Sequence, residues 1–235
     1  MCAVIGAVLK SPTKEDFQMI KRVFLESKIR GMHATGMSYL PKWSKEIKTI
    51  KESRPANEFA FIHLHDDNLK DMVNEDGILY LIGHCRYSTS DLEYNQPLGH
   101  GTKSIVHNGV ITQELPENWE QLYGYKCMTK NDSELVLHSE DPLQEFSHMS
   151  MGAIELTNDR KVRAYRNGKR PLYLTTLKNG CIITSTEDIV NRAKVNGVTT
   201  EIPMNTYVTF DDKLTMMLER KLVADEVDYQ NYESS

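Results

Sequence analysis

LYLTTLKNGCIITS, residues 172–185, reads as two short apolar runs, Leu172 to Leu177 and Cys181 to Ser185, on either side of the pair Asn179-Gly180. Asn-Gly between such runs is the strongest short-range signal for a tight hairpin, because the favoured two-residue turns need positive φ. Strands joined this way are antiparallel. Working outward, Val162 to Arg166 and Gly152 to Leu156 have the same character, and Asn167-Gly168 predicts a further hairpin turn between Arg166 and Leu172. Ser104 to His107 adds another short strand. Many short strands with tight connections predict an α+β fold rather than a doubly wound parallel sheet.

The first half alternates more evenly. Residues 2–9 (CAVIGAVL) form a short continuous apolar run, the pattern of a buried strand, and Ser11-Pro12-Thr13 ends it. From Thr13 the period becomes helical: Asp16 lies three residues after a Thr cap, Phe17, Ile20 and Phe24 share a face, and Gly31 provides the stop. Thr35 to Leu40 reads as a strand, Asn57 to Leu69 as one helix, and Gly77 to Gly83 as a buried strand feeding a polar loop. Further helices are expected over Ser133 to Ser139 and Glu187 to Lys194.

At 235 residues the chain is expected to form one domain over 1–235, with a flexible polar tail from about 225. Lys and Arg number 28 against 33 Asp and Glu, a net charge of −5 with no basic block, which argues against direct nucleic-acid binding. Four cysteines, at 2, 85, 127 and 181, are too scattered for a disulfide framework, and no Cys-x-x-Cys pair points to zinc. No metal site and no cofactor is expected. The N-terminal run lacks a basic leader and no stretch has the length of a membrane span, so the expected location is the cytoplasm.

Four segments carry chemistry when taken together. Cys2 follows Met1 directly, so trimming of Met1 leaves one residue with both a thiol nucleophile and a free α-amine to act as its base. In Gly83-His84-Cys85-Arg86-Tyr87-Ser88-Thr89, Arg86 and Thr89 offer the donors that grip a carboxylate. In His107-Asn108-Gly109, an amide beside a glycine N–H supplies the donor pair an oxyanion needs, although alone the pair reads as a hairpin turn; His107 receives no catalytic role. In Asn131-Asp132-Ser133-Glu134, Asp132 is a helix N-cap or a partner for a substrate ammonium, and its two oxygens allow both. The set describes a pocket for an amino acid with a side-chain amide: Arg86 and Thr89 on the α-carboxylate, Asp132 on the ammonium, Cys2 on the γ-amide carbon, and Asn108 with Gly109 on the oxyanion. That amino acid is glutamine.

The ordered series resembles the class II glutamine amidotransferases, the glutaminase domain of the N-terminal-nucleophile hydrolases. It runs from Met1-Cys2-Ala3-Val4-Ile5-Gly6 through Arg30-Gly31 and Gly36, the Arg86 loop, Asn95-Gln96-Pro97, His107-Asn108-Gly109 and Asn131-Asp132-Ser133-Glu134. Arg170-Pro171-Leu172-Tyr173 and Thr184-Ser185-Thr186-Glu187 extend it to about residue 190. The resemblance implies a four-layer αββα sandwich of two antiparallel sheets between helical layers, with Cys2 as the catalytic nucleophile and Arg30 beside it. Ala3 departs from the usual glycine after the nucleophile, and His33-Ala34 stands where the family commonly carries Asp. No synthase domain follows before Ser235, so the ammonia acceptor is expected on a separate partner subunit. A γ-glutamyl amide hydrolase of the same superfamily and a silent glutamine-sensing or interaction domain remain the alternatives.

Overall fold

The structure, a computed structural model, describes residues 1–88, 92 and 94–222. The tail expected from about 225 and the substrate contact expected of Thr89 lie outside the described residues. Thirteen strands are described: β1 (Ala3–Lys10), β2 (Ala34–Tyr39), β3 (Lys48–Glu52), β4 (Ile78–Arg86), β5 (Leu98–Gly99), β6 (Lys103–Val110), β7 (Ser150–Thr157), β8 (Lys161–Arg166), β9 (Tyr173–Leu177), β10 (Gly180–Thr184), β11 (Val198–Glu201), β12 (Thr206–Phe210) and β13 (Met216–Arg220). The helices are α1 (Lys14–Ser27), α2 (Ala56–His63), α3 (Asp66–Asp71), α4 (Trp119–Tyr123), α5 (Ser133–His138), α6 (Pro142–Glu145) and α7 (Glu187–Arg192).

Two sheets result, ordered β11-β9-β10-β1-β4-β2-β3 and β13-β12-β8-β7-β6-β5, with antiparallel pairing throughout the described strands. Side-chain alternation explains the layering. On β1, Ala3, Ile5, Ala7 and Leu9 pack with Phe17, Ile20 and Phe24 of α1, while Val4 and Val8 pack against Val106, Ile154 and Val162 of the other sheet. The outer face of the second sheet, with Ile105, Met151 and Tyr165, packs on Trp119, Leu135 and Leu143 from α4, α5 and α6. Three apolar layers therefore separate helix, sheet, sheet and helix, the αββα sandwich. A strand such as β1 is buried on both faces, which is why it reads as an unbroken apolar run.

Local signals account for the best-defined ends. Thr13 and Asp16 form a reciprocal capping box on α1, with Asp16 Oδ2 2.8 Å from Thr13 N and Thr13 Oγ1 3.2 Å from Asp16 N. The β9–β10 hairpin forms, but its turn residues are Lys178 and Asn179, neither with positive φ, because Gly180 already pairs with Leu177 as the first residue of β10; Asn179 Nδ2 donates to Lys10 O and to Asp16 Oδ2, tying the turn to β1 and α1.

Three expectations are corrected. Asn167-Gly168 is not a hairpin turn: β8 and β9 belong to different sheets, and Asn167 instead bonds Met151 N through its side chain. The stretch read as one helix over Asn57 to Leu69 is two, α2 and α3, broken at Leu64, where the backbone leaves the helical region. Asn108-Gly109 is no turn either; both residues lie within β6, opposite Gly152 and Met151.

Gly36 fixes how the two halves meet. A methyl group there would strike the Gln96 carbonyl oxygen and sit 2.8 Å from Pro97 Cδ, so β2 has a bare backbone where the loop entering β5 crosses it. Gly36→Ala is expected to lower stability by about 1–3 kcal/mol through overpacking. Chemical denaturation of both proteins measures it, and an unchanged midpoint would show that the loop yields freely.

Candidate active site

The β1–β4 register pairs Ala3 with Cys85 and Val4 with His84, so one further step of the ladder sets Cys2 opposite Arg86. Even-numbered residues of these strands face the gap between the sheets, which places Cys2, His84 and Arg86 on that side. On the facing sheet, Asn108 follows Ser104 and Val106 along the same inward face. At this end of the sandwich a cleft of about 510 Å³ is lined by Cys2, His84, Arg86, Gln96, Asn131 and Asp132, among others. A roomier cleft of about 780 Å³ lies beyond the opposite end of β1, around Ser11, Lys42 and Asp66, and no cysteine lines it.

Of the residues expected at a site, Cys2, Arg86 and Asp132 share this cleft. Asn108 and Gly109 are not in its lining. Asn108 is nearly buried, and its Nδ2 has no hydrogen-bond partner. A buried amide donor left unpaired costs about 1–3 kcal/mol, and among the described residues none accepts from this one. Gly109 has φ of 147°, and a side chain there would collide with the Ser150 carbonyl. Alternation along β6 sends the N–H groups of His107, Gly109 and Ile111 to one strand edge. His107 N donates to Gln96 Oε1 at 2.6 Å and Ile111 N to Asp132 Oδ2 at 2.6 Å, leaving the Gly109 N–H between these two anchors.

Asp132 does not cap α5 with its side chain. Its Oδ2 accepts from Ile111 N and, at 3.3 Å, from Thr112 N, so the carboxylate holds the end of β6 with one oxygen. Of the two roles expected for its oxygens, the helix cap is not filled, because Oδ2 serves the strand end instead. Arg86 is braced by Asn95 Oδ1 at 3.1 Å and Ser88 Oγ at 3.4 Å. Arg30 Nε donates to the Cys2 carbonyl at 3.2 Å; burial and then Arg170 push the Arg30 pKa down, while Cys2 pulls it back up. Gly31 is required beside it, since an added methyl would run into the Cys85 and Arg86 backbone.

Several contributors had no assigned role in the sequence. Gln96 acts as a substitute strand residue, its Nε2 3.1 Å from His107 O and from Ser133 Oγ. Asn131 bonds Tyr94 O and Ser133 N, joining the Arg86 side of the cleft to α5. Both side chains belong to motifs visible in the sequence, but side-chain amides facing backbone leave no periodic trace. Arg170 is close enough to influence Arg30 and His107, and its Nε is buried without a hydrogen-bond partner. Among the described residues, no helix is long and apolar enough to cross a membrane.

His84 is fully buried, and its Nε2 also lacks a partner. Burial, then the nearby charge of Arg86 and of His107, pushes its pKa down to about 3, so the imidazole is neutral at physiological pH. The unfolded chain protonates this group near 6.5, whereas the folded chain does so only near 3. Between those values the unfolded state binds more protons, so stability falls as pH drops, by up to about 1.4 kcal/mol per pH unit. Above that window His84 adds no pH dependence. Burial lowers His107 in the same direction, so His84→Gln is expected to make the acid decline shallower without abolishing it. Denaturant midpoints between pH 6.5 and about 4 test this; identical slopes in the two proteins would exclude His84 as a source.

No protein-family model and no curated protein matches the chain. Solved structures do. Glutamine phosphoribosylpyrophosphate amidotransferase from B. subtilis, complexed with ADP and GMP, superposes with a TM-score of 0.67 at 18% identity over 93% of this chain and 49% of its own. A structure described as the allosteric regulatory enzyme of purine biosynthesis gives a TM-score of 0.69, with the same identity and coverages. A glutamine aminotransferase class-II domain protein from Silicibacter pomeroyi gives 0.53 at 12% identity, over 94% of this chain and 99% of its own. The chain thus spans about half the length of the first two. It has the fold of a class II glutamine amidotransferase domain.

Proposed function

We propose that the protein is a glutamine amidotransferase that hydrolyses the glutamine side-chain amide through a thioester on Cys2. The observation that carries this reading is the meeting of Cys2, Arg86 and Asp132 in one cleft, with the unpartnered Asn108 Nδ2 at the adjoining strand. Arg86, with Thr89, takes the α-carboxylate, and the oxygen of Asp132 not committed to Ile111 and Thr112 takes the α-ammonium. These two contacts fix the amide carbon relative to the Cys2 sulfur.

Met1 is 70% exposed, open to removal. Once it is gone, the α-amine of Cys2 accepts the thiol proton as sulfur attacks the amide carbon. The oxyanion forms against Asn108 Nδ2 and the Gly109 N–H. Collapse expels ammonia, which takes its proton from the ammonium of Cys2, and water then cleaves the thioester to glutamate and the free thiol. Ammonia released into neutral water is mostly protonated and lost to transfer, so we place the acceptor site on a separate partner protein that receives it directly.

The test is glutamate release from glutamine by the Met1-trimmed protein, with trimming verified by intact mass. Cys2→Ala is expected to abolish turnover, and full activity in that variant would overturn the nucleophile assignment. Asn108→Ala should lower kcat by about 10²–10³ with little change in glutamine affinity. Asp132→Asn keeps an oxygen for Ile111 N but loses the charge, so KM for glutamine should rise by about tenfold or more, as expected for loss of a charged hydrogen bond. A preference for γ-glutamyl amides over free glutamine would reassign the substrate to a larger molecule.

A further inference from the structure

The loop that carries Asp132 has a second cluster of reactive groups at its other end. Cys127, Glu134 and His138 bring a thiol sulfur, a carboxylate oxygen and an imidazole nitrogen within 4.8 Å of one another. Glu134 and His138 are one turn apart on α5, which sets Oε1 and Nε2 at 3.5 Å. Cys127 comes from the loop between α4 and α5, and that loop is pinned to the same carboxylate: Met128 N donates to Oε1, and Thr129 N and Oγ1 donate to Oε2, each at 2.7 Å. Stacking of the Tyr125 ring on His138, with centroids 5.7 Å apart, orients the imidazole.

Tetrahedral zinc, with bonds of about 2.0–2.3 Å, keeps its donor atoms about 3.3–3.6 Å apart. The Glu134–His138 pair already has that spacing, and the sulfur reaches it by a small side-chain adjustment. We propose that Cys127, Glu134 and His138 form a three-ligand site for a zinc-class divalent ion, with water as the fourth ligand. A sulfur, nitrogen and oxygen set disfavours magnesium and calcium, which take oxygen ligands. On binding, the thiol proton leaves to solvent and the thiolate coordinates. The ion pair and the loop hydrogen bonds account for Glu134 and His138 without a metal, while Cys127 packs half-buried against the apolar layer under α4 to α6, which sets its sulfur beside the pair. The ligand spacing, Cys-x6-Glu-x3-His, follows no familiar zinc pattern, so the sequence suggested no metal at all. An ion here would clamp the start of the segment 128–132 to α5, and that segment delivers Lys130, Asn131 and Asp132 to the cleft.

The experiment uses metal-free protein carrying Cys2→Ala, which removes the other partly exposed thiol near the cleft and makes the readout independent of glutaminase activity. Cobalt(II) is titrated while the thiolate-to-cobalt charge-transfer band is recorded, and zinc is then added to displace it. The expected result is saturation at one cobalt per chain, loss of the band in Cys127→Ser, and affinity weaker by about tenfold or more in His138→Gln. Far-ultraviolet circular dichroism confirms that each variant is folded, and Cys127→Ser alone decides if His138→Gln is not. Absence of the charge-transfer band in the parent, or equal binding by parent and variants, which marks an adventitious ion only, would overturn the proposal.

Discussion

The antiparallel ladder between β1 and β4 is the constraint from which the site follows. Its register sends alternate residues to opposite faces, so the strand that gives Ala3, Ile5 and Ala7 to the helical layer necessarily turns Val4, Val8 and, by extension, Cys2 toward the other sheet. A slip of one residue would exchange these faces, burying the thiol under α1 and turning Ile5 toward the second sheet. The packing of both faces forbids that slip, since a buried Leu or Ile is worth about 1.5–3 kcal/mol. Core packing therefore sets the position of Cys2 and places Arg86 across from it.

The second sheet is joined to this frame by polar side chains acting in place of backbone. Gln96 lies along β6 as a short false strand, Asp132 captures the backbone beyond that strand, and Ser133 bridges His107 and Gln96. Gln96 and Asp132 also line the cleft. Ties of this kind hold donors in place before any substrate arrives, the condition under which hydrogen bonds to a developing charge are most effective.

Legibility in the sequence tracked the source of order. Elements dictated by local pattern, such as the capped α1, the buried β1 and the β9–β10 hairpin, though not its turn residues, were readable directly. Exposed edge strands were not: β3 has a single apolar residue, Ile50, and every residue of β13 is exposed, so neither carries an alternation to read. The Asn-Gly pairs at 108 and 167 show the limit of turn chemistry. At 108 the glycine meets a close backbone approach inside a strand, and at 167 the asparagine side chain serves a neighbouring strand, so tertiary contact overrode the local preference. That Cys2, Arg86 and Asp132 would meet in one cleft was legible because their segments offer complementary chemistry. Gln96, Asn131 and His84 were not, because their roles depend on partners far away in the chain.

Arg30 holds the carbonyl of Cys2, and Ala3 is already the first residue of the β1 ladder. Met1 is exposed, and its sulfur accepts from the second arm of the same Arg30 guanidinium at 3.3 Å. Cys2 thus sits between a guanidinium on one side and the start of the sheet on the other. The same guanidinium therefore holds the chain on both sides of the Cys2 thiol, through the Cys2 carbonyl and the Met1 sulfur.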